Sequence, residues 1–500
     1  MTTYYVDATN GSDSNNGLGP DASHATNKPY ATIGKLLATS GVLASGDTAY
    51  LAPGTYREAV TVNITSPTAL TQIIGDVANA QGFKTSGGVL VTPGEVTWSA
   101  YTSGDTSAPT TTRPINLNGR DFLSFQRITN VGGNGTPSCV SATTATSTDT
   151  TFTECAFFPH NNGGNTIETQ SAGDVILNWL FDRCIIVVAR GGRLLGITLP
   201  TGTADTDVNV LFRNCLFLLG DAANGISLFS SGATAGKPGG VRMQNCTVFG
   251  GGNIMQTFSA NFSTSIPCAV YNSQLIHCTT ALNANTSGQI VEDYNRIISN
   301  TPRTNVSAGA NSQSSTAYPA VWQLGQFLWV GNQARAPFTP LAGSALLGFG
   351  NQSGAPSVDI ANRPRPAGGG STSNAIGAFE RHDSATKETT TVRTGSNALV
   401  IVGPGDHDFQ VPVDATSTTI SCYMRYDTLH AATNKPQMQV LNGEECGVST
   451  ATATMAAAVD TWEQLSLTFT PARAGIVTIR LISRAAAGNG KAFADDFTVA

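Results

Sequence analysis

Three stretches of the chain read almost alike: LFDRCII (residues 180–186), LFRNCLF (211–217) and VRMQNCTVF (241–249). Each runs from an aromatic residue or Met through two polar residues to a cysteine and then apolar residues, with the cysteine at 184, 215 and 246, 31 residues apart both times. Aligning on the cysteines extends the phrase upstream to TFTECAFF (151–158) and downstream to AVYNSQLI (269–276) and IVEDYNRI (290–297), with Ser273 and Tyr294 in the cysteine slot. The register then runs 155, 184, 215, 246, 273, 294. A period of this size, varied by loop insertion, is the mark of a solenoid whose units stack along one axis, one coil per repeat.

Within a coil, Phe152, Phe181, Phe212, Met243 and Val270 stand three residues before the slot, yet the slot is also apolar. Strict strand alternation would put the two positions on opposite faces. A bend between them removes the conflict, and the residues just before the slot, Asn214, Asn245 and Asn272, belong to the type that tolerates a left-handed backbone. Two short strands therefore meet at an Asn corner whose side chains can hydrogen-bond up the column. This is the pattern of a parallel β-helix in which Cys155, Cys184, Cys215 and Cys246 form an inward ladder rather than a redox or metal site. The repeat predicts roughly ten coils over residues 1 to about 345, some 50 Å long at about 4.8 Å per coil.

The composition agrees. Only 12% of residues are charged and 53 are glycine, a balance that suits turns and stacked strands better than helices. A net charge of -6 without a Lys/Arg run offers no electrostatic footprint for nucleic acid or an anionic membrane. No apolar run reaches a membrane span, and MTTYYVDATNG lacks the pattern of an export signal, so membrane insertion is not expected and synthesis in the cytoplasm is. The nine cysteines show neither disulfide-framework density nor paired metal-ligand spacing and read as reduced, buried hydrophobes.

Glu154 and Asp182 are the tempting catalytic carboxylates. The alignment sets Glu154 over Arg183 and Asp182 over Arg213, one coil away, so cross-strand ion pairs compete with a substrate groove as the explanation. Asp174, Glu168, Arg190 and Arg193 are further polar candidates, scattered in register rather than grouped.

Both ends of this region resemble right-handed β-helix proteins of the pectate-lyase-like superfamily. The opening resemblance lies in YYVDATNGSDSNNG (4–17), NKPYATIGKLLA (27–38) and GDTAYLAPGTYREAVTV (46–62); the closing one lies in SVDIANRPRPAGGGSTSNAIGAFE (357–380). The resemblance implies a β-helix over residues 1–380, with a helix at about 30–43 capping its open end. Asp7, Asp13, Asn15 and Asn16 could be oxygen ligands for calcium, but they lack EF-hand spacing, and a hydrogen-bonded turn is the competing reading. That superfamily holds lyases, hydrolases, esterases and phage tailspikes, so the fold does not choose a chemistry.

Residues 381–397 are polar and read as a linker or a lead strand. From 398 to 500 the register changes to alternating strands, DFQVPVD, TISCYMRYD, PQMQVLN, TWEQLSLTFTP, GIVTIRLIS and AFADDFTVA, spaced as in a β-sandwich. This part resembles jelly-roll carbohydrate-binding modules. The resemblance makes Trp462 either a core aromatic or a sugar platform. It also sets Asp495 and Asp496 on the last strand, where such modules often hold a structural calcium; solvent-facing carboxylates are the plain alternative, and no other cofactor is expected.

The expected fold is therefore all-β, a parallel β-helix followed by a sandwich. Two functions compete. One is a phage virion appendage (a tailspike, fibre or capsid-decorating protein), homotrimeric, attached to other virion proteins and binding a host-surface polysaccharide through loops such as 232–240 and through the sandwich. The other is a secreted polysaccharide lyase or glycosidase, and a purely structural fibre is a third possibility.

Overall fold

The computed structural model describes residues 1–38, 41–64, 68–100, 113–132, 139–142, 147–159, 165–169, 176–188, 193–199, 205–220, 224–230, 237–258, 260–315, 322–323, 328–330, 333–335, 339–340, 360, 385–388, 390–395, 398–402, 406–430, 434–440, 448–472, 475–485 and 490–500. The chain divides into two compact units, Met1–Glu380 and Arg381–Ala500.

The first unit is a right-handed parallel β-helix. One of its faces is a ten-stranded parallel sheet running from Thr3–Val6 to Ile290–Asp293. Its central register aligns Phe125, Phe152, Phe181, Phe212, Met243, Val270 and Glu292, one per coil. The phenyl rings stack almost flat, with centroids 5.1, 5.0 and 4.6 Å apart from Phe125 through Phe152 and Phe181 to Phe212. That spacing is the strand separation itself, so one backbone repeat sets both the hydrogen-bond ladder and the ring stack. Phe157 and Phe217, from the second face, meet Phe152 and Phe212 edge-on, closing the interior with T-shaped contacts.

The bend between the two faces is a column of left-handed residues: Arg127, Glu154, Arg183, Asn214, Asn245, Asn272 and Tyr294 all have φ between 52° and 57°. Tyr294 is thus a corner and Asn295 fills the slot, one residue later than the apolar alignment expects, because Gln274, just after Ser273, pairs in register with Arg296. Side chains do not hydrogen-bond through the middle of this column as expected: the buried amide of Asn245 has no hydrogen-bond partner among the described residues. An amide ladder stands instead at a second left-handed corner, Asp149, Asn178 and Asn209, at the entry to the first face. There Asn178 Nδ2 donates to Asp149 Oδ1 (3.1 Å), Asn209 Nδ2 to Asn178 Oδ1 (3.0 Å) and Arg242 Nη1 to Asn209 Oδ1 (2.9 Å).

Among the described residues, parallel pairing ends at Gln313–Ser315. Trp322–Gln323 pairs antiparallel with Thr339–Pro340, and Leu328–Val330 with Gln333–Arg335, so coils do not continue to residue 345. The interior changes first. Its inward positions turn polar at Glu292, Asn295 and Arg303, with Glu292 over Val270 and Arg303 over Leu282, and these groups bond to one another and to Gly309 and Ser312 of the segment that follows. The closing phrase 357–380 lies outside the described residues apart from Ile360.

At the other end, the capping helix is a single turn, Gly34–Leu37, not 30–43. Leu36 and Leu37 are buried on the first coil, and the carboxylate of Glu58 accepts the amides of Ile33 (2.6 Å) and Gly34 (2.7 Å). The turn ends where Ala38 becomes extended, and Gly41 then packs so closely on the Leu36 carbonyl that a Cβ would lie 2.2 Å from it.

The second unit holds two antiparallel sheets. One orders Ala385–Glu388, Ala398–Val402, Lys491–Val499, Thr418–Tyr426 and Glu463–Phe469; the other orders Asp406–Val413, Gly475–Ile482, Gln437–Val440 and Ala451–Thr454. Alternate residues Ile420, Cys422 and Met424 of one sheet and Val477, Ile479 and Leu481 of the other share one core, as a sandwich requires. The stretch read as a linker supplies a strand, Ala385–Glu388, paired with Ala398–Val402.

Candidate functional site

Glu154 and Asp182 come together on the outer edge of the first face, and with them two arginines. Thr153 and Asp182 are register partners, as are Asp182 and Arg213. Arg213 Nε donates to Asp182 Oδ1 at 2.9 Å; Arg183 Nη2 lies 3.3 Å from Glu154 Oε1 and 3.6 Å from Asp182 Oδ2. The order Glu154, Arg183, Asp182, Arg213 is an alternating charge string over adjacent coils. Both carboxylates are largely covered, with side chains 18% and 9% exposed, and each faces a guanidinium. A general acid and base must reach a substrate proton; the oxygens of Asp182 face Arg183 and Arg213, and that of Glu154 faces Arg183. Asp174 and Arg190 lie outside the described residues, Glu168 and Arg193 are known only as backbone positions in strands Asn165–Thr169 and Arg193–Leu199, and the loop candidate 232–240 is described only from residue 237.

The thiols of Cys155, Cys184, Cys215 and Cys246 point inward and are free. Each donates to the backbone of the aromatic column one coil back: Cys155 to Phe125 O (3.4 Å), Cys184 to Phe152 O (3.3 Å), Cys215 to Phe181 O (3.3 Å) and Cys246 to Phe212 O (3.4 Å). Burial pushes the Cys155 thiol up to about 12 and the Cys184 and Cys246 thiols well above the ordinary value. Desolvation of the thiolate is the cause, and it disfavours nucleophilic or metal-binding use.

In the N-terminal loop, Asp7 Oδ1 accepts the amides of Thr9 and Asn10, and Asp13 accepts those of Ala31 and Thr32. Asn15 donates to Pro29 O and Asn16 to Asn27 Oδ1. The four side chains brace separate points of a hydrogen-bonded turn and do not converge on one centre.

In the second unit, Trp462 immediately precedes strand Glu463–Phe469 and is half-buried. Asp495 and Asp496 sit at an irregularity in the last strand, where Asp496 turns left-handed (φ 51°). Asp495 Oδ2 accepts the amides of Arg393 (2.8 Å) and Thr394 (3.2 Å), and Asp496 takes the Thr394 hydroxyl and the Arg393 guanidinium. Those two partners, Thr394 first, hold the Asp496 carboxyl below the usual carboxylate range. The guanidinium carbon lies over the Tyr423 ring, 3.4 Å from its centroid. A calcium ion needs six to eight converging oxygens; here the two carboxylates are met by N–H donors and a cation, and these residues do not fit a calcium ion. Among the described residues no three His, Cys, Asp or Glu side chains converge as a metal site. A cavity of about 210 Å³ opens beside the pair, lined among others by Leu399, Cys422, Leu481, Ala494 and Phe497.

Sequence reasoning missed Arg393 and the Asp149–Asn178–Asn209 ladder. The second had a signal, an Asp or Asn three residues before Phe152, Phe181 and Phe212.

No protein family and no curated protein matches the chain by sequence. Among solved structures, the pectin methylesterase of Aspergillus niger covers 58% of this chain and 81% of its own, at 16% identity and a TM-score of 0.28. The tailspike protein of Acinetobacter phage vB_ApiP_P1 covers 91% of this chain and 82% of its own, at 10% identity and TM-score 0.19. A family 16 carbohydrate-binding module covers 23% of this chain and 85% of its own, at 13% identity and TM-score 0.19. It is the strand register, not these likenesses, that defines a parallel β-helix protein with a separate antiparallel sandwich. No helix among the described residues is long and apolar enough to cross a membrane.

Proposed function

We propose that this chain is a phage virion appendage (tailspike, fibre or capsid-decorating protein) that presents a glycan-binding sandwich on a rigid β-helix. The observation that supports it over a lyase or glycosidase is the ion-pair string through Glu154, Arg183, Asp182 and Arg213, which turns the best carboxylate pair into structural partners. An interior filled by rings and thiols leaves recognition to the surface of the solenoid and to the sandwich, where half-buried Trp462 is the aromatic we assign to sugar stacking. The appendage works as a homotrimer on the virion, held by other virion proteins, with a bacterial surface polysaccharide as ligand.

The test is a glycan array with the full-length chain and its Trp462→Ala variant, run beside a reducing-sugar assay on every glycan that binds. Binding without release of reducing ends, lost in the variant, is expected. Depolymerisation of a bound polysaccharide would put the enzyme in its place, and binding unchanged by Trp462→Ala would move the site elsewhere. Light scattering of the full-length chain is expected to give three times the chain mass; a monomer counts against the trimer.

A further inference from the structure

The resemblance to carbohydrate-binding modules brings with it a calcium ion that ties the start of the module to its last strand. In this chain both sides of such a tie are present, and the carboxylate oxygens are already met by hydrogen-bond donors. On the last strand stand Asp495 and Asp496; on the segment leading into Ala398–Val402 stand Arg393 and Thr394. Three hydrogen-bond donors of that segment, the Arg393 amide, the Thr394 amide and the Thr394 hydroxyl, point at the two carboxylates, and the fourth contact is a full positive charge. We propose that Arg393 is a built-in cation that does for this module what a divalent ion would do, so that the lead segment stays docked on the last strand without calcium.

Three features favour a guanidinium as a permanent occupant rather than a passing surface partner. Its carbon sits 3.4 Å from the centroid of the Tyr423 ring, and Tyr423 is itself the register partner of Asp495, so the ring holds the cation over the carboxylates. The backbone amides of residues 393 and 394 are oriented at Asp495 at the same time, which a loosely swinging side chain would not require. Asp496 adopts the left-handed conformation that turns its carboxylate toward the lead segment. A diacid with no cation would leave two like charges side by side on one strand, so the charge of Arg393 is what the pair demands.

The experiment follows amide exchange by mass spectrometry in the full-length chain, in chelator and in millimolar calcium. In the wild type, the Arg393 and Thr394 amides are expected to be protected equally in both. Arg393→Ala is expected to speed exchange at Thr394 roughly tenfold in chelator, and calcium is expected to restore the protection because the emptied diacid then accepts the ion. Peptides over Thr418–Tyr426 report whether the variant is folded. Should it not fold, Arg393→Lys, which keeps the charge without the guanidinium, is expected to lose part of the protection and to ignore calcium. A calcium-dependent gain of protection in the wild type overturns the proposal. So does unchanged exchange at Thr394 in Arg393→Ala, or a folded Arg393→Ala whose protection calcium does not restore.

Discussion

The guanidinium of Arg303 reaches across the interior of the last coil to Glu292, with Nε 2.8 Å and Nη2 2.7 Å from the same Oε1. Each stands where the previous coil has an apolar residue, Glu292 over Val270 and Arg303 over Leu282. Asn295 and the Gly309 amide add further donors to the carboxylate, which is fully buried. The solenoid therefore closes its interior with a bonded ion pair, and apolar stacking has no surface on which to continue.

That pair should behave as a unit. Glu292→Val or Arg303→Leu alone leaves a charge buried without its partner and is expected to cost about 3–5 kcal/mol. The double variant restores the residues of the preceding coil and is expected to lose at least about 1 kcal/mol less than the two singles summed. Urea unfolding of the four proteins closes the cycle, and additive losses would refute the coupling.

The ring stack is the second load on stability. Phe181 touches rings on both sides, at 5.0 Å to Phe152 and 4.6 Å to Phe212, and is fully buried. Phe181→Ala is expected to cost about 3–5 kcal/mol, and Phe181→Leu distinctly less because it fills most of the space. Equal losses would mean that the ring contacts, and not the filled volume, carry the stability.

How far the sequence was legible follows from what repeated. Phe152, Phe181 and Phe212, with their cysteines three residues on, could be read because an apolar side chain in a fixed slot recurs at every coil. The reading slipped by one at Tyr294 because Asn295 and Glu292 made the last coil polar, and hydrophobic spacing no longer fixed the register. The ladder at Asp149, Asn178 and Asn209 stands at a polar position three residues before Phe152, Phe181 and Phe212, which an alignment on apolar spacing does not pick out. Arg393 could not be paired with its carboxylates from sequence, since they lie 102 and 103 residues apart and no repeat connects them.

Asp182 separates the structural from the catalytic reading of the outer edge. Asp182→Ala leaves Arg213 and Arg183 without their shared carboxylate and is expected to cost about 1–3 kcal/mol. Glycan binding by the folded variant is expected to be unchanged. A variant of undiminished stability that loses activity on a polysaccharide would reverse the assignment.

The thiols give the protein a signature at alkaline pH. Burial pushes Cys139, Cys155, Cys278 and Cys422 up to about 12 and Cys268 to about 11. An unfolded thiol ionises near about 8.5. The fold thus favours the protonated form, and the stability from each thiol is complete below that pH and falls as pH climbs toward the folded value. Between about pH 8 and about pH 10 one such thiol is expected to cost the native state about 2 kcal/mol. Tyrosines and lysines also titrate there, so the informative comparison is with Cys155→Ala, which keeps all other groups. Urea unfolding at both pH values is expected to show a decline in the variant smaller than that of the wild type by about that amount. Because all four are buried, native protein at about pH 8 is also expected to leave Cys155, Cys184, Cys215 and Cys246 unlabelled by a thiol reagent that modifies all of them in urea. Parallel pH profiles for wild type and Cys155→Ala would contradict a neutral, buried Cys155, and rapid labelling of any of the four in the folded chain would contradict an inward, buried column.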